Sequence, residues 1–302
     1  MPTGYDAVID VSDTTCRIAV GAYPPVTWHT HRDITLDRPG MQALFETPPR
    51  SAPHQQTLNV IQRHLKEAVA RVGAKPRVDH LHVALPPAYG LTVQAPLPAT
   101  MNPSQTRHAL RQEAALLTGT ETETDMHITV HSVPTPLPGR TSHQWYRAVR
   151  LPSHVQARLQ QWADVLEADL TVHVRPAVVL DAHASTETGW HLGIGCYGDD
   201  TEYALWHDTH CAYVHYTPHA PTPPDRAYFA TSLLNRLHVP PADLHAVWTY
   251  GESVQAALAI PPIGTVSPRR IVLPPHSSTE THTQPTSPHG WAAVYGMLQH
   301  GR

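Results

Sequence analysis

Val8-Ile9-Asp10-Val11-Ser12-Asp13-Thr14-Thr15-Cys16-Arg17-Ile18-Ala19-Val20 decides the fold. The stretch reads as an apolar strand, a tight polar turn and a returning strand. A turn of this kind points backbone N–H groups and hydroxyls at an anion. The pattern returns at Leu192-Gly193-Ile194-Gly195-Cys196-Tyr197-Gly198-Asp199-Asp200-Thr201-Glu202-Tyr203-Ala204-Leu205. One hairpin near the N-terminus and one past the middle imply a duplicated fold with a cleft between its halves.

The 302 residues are enough for two domains and a sizeable core. The net charge of −4 gives no sign of a nucleic-acid-binding surface. Lysine occurs only at Lys66 and Lys75, against 24 histidines. We read Arg, His, Ala and Pro in place of Lys, Ile and Asn as a GC-rich coding bias. The 31 prolines are about twice the roughly 5% background, which implies many strand-edge and loop positions. Cys16, Cys196 and Cys211 have no metal or redox spacing, which suits a reducing cytoplasm. No signal peptide and no membrane span is read, so a membrane role would go through a partner.

Between the hairpins, Thr57–Val72 reads as an amphipathic helix, with Leu58, Ile61, Leu65, Ala68, Val69 and Val72 at helical spacing. Strands are expected at His80–Leu85 and Leu91–Ala95. Asn102, Pro103 and Gln105 form a capping box opening a helix to about Leu117. Strands Met126–Val133 and Trp145–Leu151 follow. Ser153 with Gln156 reads as a second capping box, opening a helix with Val155, Leu159, Trp162 and Leu166. Leu170–Val174 reads as a strand and Val178–Ala184 as a short helix. After the second hairpin come strand Ala212–His215, helix Arg226–Leu237, strand Val247–Tyr250 ending at Gly251, helix Ser253–Ala259, strand Ile271–Leu273, a polar loop Pro274–Pro288 and a terminal helix Trp291–Gln299.

Six stretches together resemble the PilM family of actin-like proteins, the group that includes FtsA and the cytoplasmic domain of type II secretion L proteins. Asp10–Arg17 resembles the first phosphate loop. Val83-Ala84-Leu85-Pro86 resembles the family's Val-Ala-Leu-Pro strand end. Leu97-Pro98 with Ala109-Leu110-Arg111-Gln112-Glu113-Ala114 resembles its Leu-Pro and Ile-Arg-x-Glu-Ala helix. Tyr146–Leu151 and the helix behind it resemble the exit from an inserted subdomain. Val247-Trp248-Thr249-Tyr250-Gly251-Glu252 resembles the adenosine motif, and Ala293-Val294-Tyr295-Gly296-Met297-Leu298 the closing helix.

The resemblance implies an α/β, two-lobed actin-like (RNase H-like) fold with an inserted small α+β subdomain. The expected division is a first lobe of residues 1–78 and 153–188, an insert of 79–152 (strand, strand, helix, strand, strand) and a second lobe of 189–302. It also implies a cytoplasmic scaffold of a type IV pilus or related secretion machine, peripheral to the inner membrane. Such a scaffold binds the N-terminal peptide of a bitopic, PilN-like partner and forms a homo-oligomeric ring or platform. Matching the motifs carries ATP and Mg²⁺ contacts to Asp10, Ser12, Thr14, Thr15, Arg17, Gly195, Gly198, Thr201, Gly251 and Glu252. Exposed Arg107, Arg111 and Glu113 on the insert's helix are candidate partner contacts.

Departures from the pattern bear on chemistry. Ser12 stands where the family has glycine, and its Cβ restricts close backbone approach. Gly193 stands where the second loop has a carboxylate. Tyr250 replaces one of the paired glycines of the adenosine motif, where its ring fills the adenine slot. With three sites altered, the expectation is a weakened or lost ATP site. The alternative in the same fold is an active Mg-ATP-binding ATPase that switches or polymerises on nucleotide. A sugar- or acetate-kinase-like enzyme is a second rival, opposed by Gly193 and by the modest length.

Other features have plainer readings. His80 and His82 alternate on one strand face as two metal ligands do. A third ligand is not given by the sequence, and close pairs arise by chance among 24 histidines, so no metal is assigned. No nucleophile elbow supports a hydrolase triad. The tryptophans read as core packing.

Overall fold

The computed structural model describes residues 4–12, 14–22, 27–36, 40–45, 52–73, 76–88, 92–118, 126–133, 143–179, 188–208, 210–220, 222–252, 259–271, 273, 277–278 and 288–300. The chain divides into two compact units. One comprises residues 1–86, 152–183 and 273–302, and the other 87–151 and 184–272.

The first unit is built on a six-stranded sheet. Its strands are β1 (Tyr5–Val11), β2 (Thr15–Ala22), β3 (Thr27–Thr35), β4 (Val78–Leu85), β8 (Asp169–Val174) and the short β14 (Ser277–Ser278), in the order β14-β3-β2-β1-β4-β8. β1, β2 and β3 form an antiparallel meander, and β4 and β8 add in parallel on the far side of β1. Ala7, Val8, Ile9 and Val11 are all buried, so β1 is covered on both faces. Helix α2 (Ala52–Val72) covers one face, where Arg32 donates to Glu67 at 2.6 Å. The next residue, Asp33, points to the other face and accepts from Trp291 Nε1 at 3.2 Å, beside helix α7 (Ala292–His300). Helices α1 (Gly40–Phe45), α4 (Ser153–Leu166) and α5 (Arg175–Val178) complete the layers. A Cβ at Gly296 would come within 1.7 Å of the Val178 carbonyl oxygen, so this glycine lets α7 lie directly on α5.

The second unit repeats the topology. Strands β9 (Trp190–Tyr197), β10 (Asp200–His207), β11 (His210–Thr217), β12 (Leu244–Gly251) and β13 (Pro268–Arg270) are ordered β11-β10-β9-β12-β13. An antiparallel meander is again followed by two parallel strands. Helix α6 (Pro223–Arg236) packs Ala230, Leu233 and Leu234 against Leu192, Ile194, Tyr203 and Leu205. The unit also holds a module of β5 (Thr92–Pro98), α3 (Pro103–Thr118), β6 (Met126–Val133) and β7 (His143–Pro152), with sheet order β5-β7-β6. Its small core is Val93, Ala95, Leu110, Ala114, Ile128 and Ala148. The module seals the free edge of β11. The Gln94 side-chain amide donates to the Val214 carbonyl at 2.9 Å and accepts from the Val214 N–H at 3.2 Å, and Arg147 donates to the Cys211 carbonyl at 3.3 Å.

Several elements differ from the sequence reading. β4, read as the insert's first strand, is an inner strand of the first sheet, because its run Leu81–Leu85 is buried on both faces and pairs with β1 and β8. The module is therefore strand, helix, strand, strand. The closing helix, read into the second lobe, packs on β1, β2 and β4. Asn102 and Gln105 form the expected capping box, each backbone N–H donating to the other's side chain at 3.0 Å. Ser153 does not cap: it is the first helical residue after Pro152, which offers no side-chain cap. A short helix spans Arg175–Val178, the expected one at Val178–Ala184 lying mostly outside the described residues, and the outer strand of the second sheet is at Pro268–Arg270. The expected helix Ser253–Ala259 and most of the loop Pro274–Pro288 lie outside the described residues.

Candidate functional site

In the first hairpin, β1 and β2 pair Asp10 with Arg17 and Val11 with Cys16. The Ser12 N–H donates to the Thr15 carbonyl at 2.8 Å, and the Thr15 N–H donates to Ser12 Oγ at 3.0 Å. Ser12 Oγ also lies 3.0 Å from Thr15 Oγ1. Groups that the resemblance aims at a phosphate thus bond one another. Thr14 is exposed at the tip, and its carbonyl accepts from Leu36 N–H at 2.9 Å.

Asp10 is wholly buried. Its Oδ1 accepts from Arg175 Nε at 2.7 Å, and its Oδ2 lies 3.4 Å from Arg17 Nη1. Arg175, also buried, donates from Nη2 to the Val11 carbonyl at 2.6 Å. Arg17 Nε lies 3.3 Å from Asp33 Oδ1. Two carboxylates and two guanidiniums balance. Magnesium is a hard cation that takes oxygen ligands. Both Asp10 oxygens face guanidiniums, so the residues as placed do not fit a metal–water cluster. Burial, with Asp10 beside it, pushes the Cys16 thiol far above its ordinary value, so this sulfur stays protonated and unreactive.

In the second hairpin, Gly198 takes φ +60° at the turn and Asp199 is exposed, a solvated tip. Arg226, buried on α6, reaches the turn from inside the unit. It donates from Nη2 to the Gly198 carbonyl at 2.9 Å and from Nε to Thr201 Oγ1 at 3.1 Å. Thr201 is itself buried, so its hydroxyl faces the arginine. Burial raises the Cys196 thiol to about 11, with Arg226 opposing the shift.

The glycines of β9 make room for rings. A Cβ at Gly193 would stand 2.6 Å from the Trp206 ring, and one at Gly195 would stand 2.5 Å from the Tyr250 ring. The position where the resemblance expects a carboxylate therefore has no space for one. Tyr250 is buried in register with Gly195 and meets Tyr197 edge-on at 6.4 Å between centroids. Gly251 has φ +102°, and a Cβ there would lie 2.4 Å from the Cys196 carbonyl oxygen, so only glycine fits. Half-buried Glu252 follows, its N–H donating to that carbonyl at 3.0 Å.

Asp10, Ser12, Thr15 and Arg17 thus meet around one turn, and Gly195, Gly198, Thr201, Gly251 and Glu252 lie on and beside the β9–β10 hairpin. On α3, Arg107 and Arg111 are exposed and Glu113 is half-buried. Arg175 and Arg226 were missed. Each was legible only as a lone arginine beside apolar residues, in Val174-Arg175-Pro176-Ala177-Val178 and at the start of α6.

No family model matches the sequence, and none of the curated proteins does. Solved structures do. The chain is similar to a protein of a PilM–PilN type IV pilus biogenesis complex over 98% of both chains, at a TM-score of 0.67 and 11% identity. It is similar to the ethanolamine utilization protein EutJ from Carboxydothermus hydrogenoformans over 99% of this chain and 90% of the other, at 0.50 and 10%. A further similarity is to the cytoplasmic domain of EpsL, an inner membrane component of the Vibrio cholerae type II secretion system, at 0.46 and 10% over 98% and 95% of the chains. The fold is the actin-like ATPase fold.

Proposed function

We propose that this protein is a PilM-like scaffold of a type IV pilus or related secretion machine, with hairpins that no longer take Mg-ATP. The observation that carries the reading is the buried Asp10–Arg175 pair at 2.7 Å. A guanidinium occupies the carboxylate that an actin-like ATPase needs for its metal. The filled glycine positions under Trp206 and Tyr250 support the same reading from the second unit.

Its mechanism is binding. The likeness over 98% of both chains to a protein of a PilM–PilN complex supports a PilN-like peptide as the ligand. No helix among the described residues is long and apolar enough to cross a membrane, so the proposed attachment goes through that partner. On α3, Arg107 and Arg111 are exposed one helical turn apart, with exposed Leu116 further along. Two exposed cations one turn apart suit a peptide that carries acidic residues.

Thermal unfolding with and without Mg-ATP tests the hairpins. A ligand bound only by the folded state adds about 2.7 kcal/mol at one hundred times its dissociation constant. We expect no shift at millimolar ATP. A Mg²⁺-dependent rise lost in Asp10→Ala would overturn the reading in favour of a nucleotide-switched ATPase. Charge reversal at Arg107 and Arg111 is expected to weaken capture of the partner peptide, and unchanged affinity removes α3 from the interface.

A further inference from the structure

We propose that a surface groove between the C-terminal ends of α2 and α4 binds a small anionic amphiphile, a medium-chain carboxylate such as decanoate. The groove measures about 560 Å³ and lies within the first unit. Lys66, Val69, Ala70 and Gly73 line it from α2 and the residue that follows, at the i, i+3, i+4 and i+7 spacing of one helical face. Val165 and Leu166 line it from the end of α4, and Val165 is left 40% exposed.

The chemistry of the lining selects the ligand. Small-molecule sites are mostly apolar and hold about 300–1,000 Å³. Here the lining side chains supply one polar group, the Lys66 ammonium, and Pro76 in the wall has no N–H to donate. Sugars, bases and extended peptides need several hydrogen-bonding partners, so this lining suits an apolar body with a single charged head. Exposed Lys66 has no hydrogen bond or ion pair among the described residues, and the adjacent Glu67 is taken by Arg32 at 2.6 Å. Both helices end at the groove in carbonyl oxygens, whose partial negative charge repels an anion. The head therefore belongs at Lys66 and the chain runs towards Gly73, about 10 Å further along the axis. A Cβ at Gly73 would meet nothing within 4 Å, and this glycine is not among those at positive φ. A larger residue there fits without strain.

Calorimetric titration of the full chain with decanoate, kept below its micelle-forming concentration, tests the site. We expect saturable binding of one equivalent, tightening about fourfold for each CH₂ gained from hexanoate to decanoate, and a raised unfolding midpoint. Lys66→Glu should lower the decanoate affinity about tenfold or more and turn the preference towards decyltrimethylammonium. Gly73→Phe should fill the groove and abolish decanoate binding, with the ligand-free midpoint kept. Val165→Asp, at an exposed position, serves should Gly73→Phe fail to fold. No saturable decanoate binding to the unaltered chain overturns the proposal. So does unchanged affinity in a folded variant, or equal affinity of the unaltered chain for decyltrimethylammonium. Capture by phosphatidylglycerol vesicles, or self-association lost in Gly73→Phe, in place of decanoate binding assigns the groove to a membrane or to a second copy and overturns it as well.

Discussion

The two hairpins are the same device built twice. In each, strand, turn and returning strand are braced from within the unit by one buried arginine: Arg175 from α5 in the first, Arg226 from α6 in the second. What the arginines meet differs. Arg175 meets a fully buried carboxylate, Asp10, which Arg17 also faces. Arg226 meets a carbonyl and a hydroxyl, both neutral. The first hairpin kept its charge and neutralised it with a cation supplied by the chain. The second has a glycine at the carboxylate position and fills the space with the rings of Trp206 and Tyr250. The two hairpins are thus filled in two ways, one by charge compensation and the other by rings.

The contrast predicts unequal costs. Arg175→Met should destabilise the protein by about 3–5 kcal/mol, because a buried carboxylate loses its shortest partner. Denaturant unfolding measures this. Asp10→Asn in the Arg175→Met background should recover much of the loss, because the bare charge is then gone. A cost below about 1 kcal/mol for Arg175→Met would remove the charge argument altogether. Arg226→Met should cost roughly 1–3 kcal/mol, since a buried hydroxyl and the carbonyl of the exposed turn lose their donor. Equal costs for the two arginines would erase the distinction between the hairpins.

Acid sharpens the comparison from the second unit. His215, on β11 and stacked on Tyr203 with ring centroids 6.2 Å apart, is lowered to about 4 by burial, with Arg236 acting in the same direction. The folded state therefore keeps this ring neutral. Between pH 6.5 and 4 the unfolded chain takes up a proton that the folded chain does not, so stability falls as pH falls through that window. We expect a loss of about 1–2 kcal/mol, discounted for the ring's partial exposure. His215→Leu should flatten the slope between pH 6.5 and 4, and an unchanged slope would assign it to other groups.

Much of the fold could be read from the chain because its signals are local. Each hairpin is carried by about a dozen consecutive residues, Gly251 marks a strand end, and Asn102 with Gln105 marks a helix start. The signals that failed are those that depend on distant partners. β4 and the closing helix have ordinary apolar patterns, and only the pairing of β4 with β1 and β8, or the close approach of Gly296 to Val178, assigns them to the first unit. The site was half legible for the same reason. Asp10 announces a carboxylate at a turn, but its partner Arg175 lies 165 residues away. Gly193 was readable as a missing carboxylate, whereas its cause, the Trp206 ring on the neighbouring strand, was not.

The smallest predicted effect tests which feature closes the first hairpin. Ser12→Gly restores the residue that the actin-like pattern carries at this turn. It removes the acceptor for the Thr15 N–H and the contact with Thr15 Oγ1, both at 3.0 Å. The loss of such turn hydrogen bonds should cost about 1 kcal/mol, and it frees the Thr15 amide to meet an anion. If the serine were the whole obstacle, Mg-ATP would now raise the unfolding midpoint. We expect no rise, because Asp10 remains paired with Arg175 and Arg17 and offers the metal nothing. Combining Ser12→Gly with Arg175→Met then separates the remaining causes. Recovered Mg²⁺-dependent stabilisation in the pair would place the loss of function in the first hairpin alone. Continued silence would mean that opening the first hairpin is not enough, and that charge compensation there is not the whole cause.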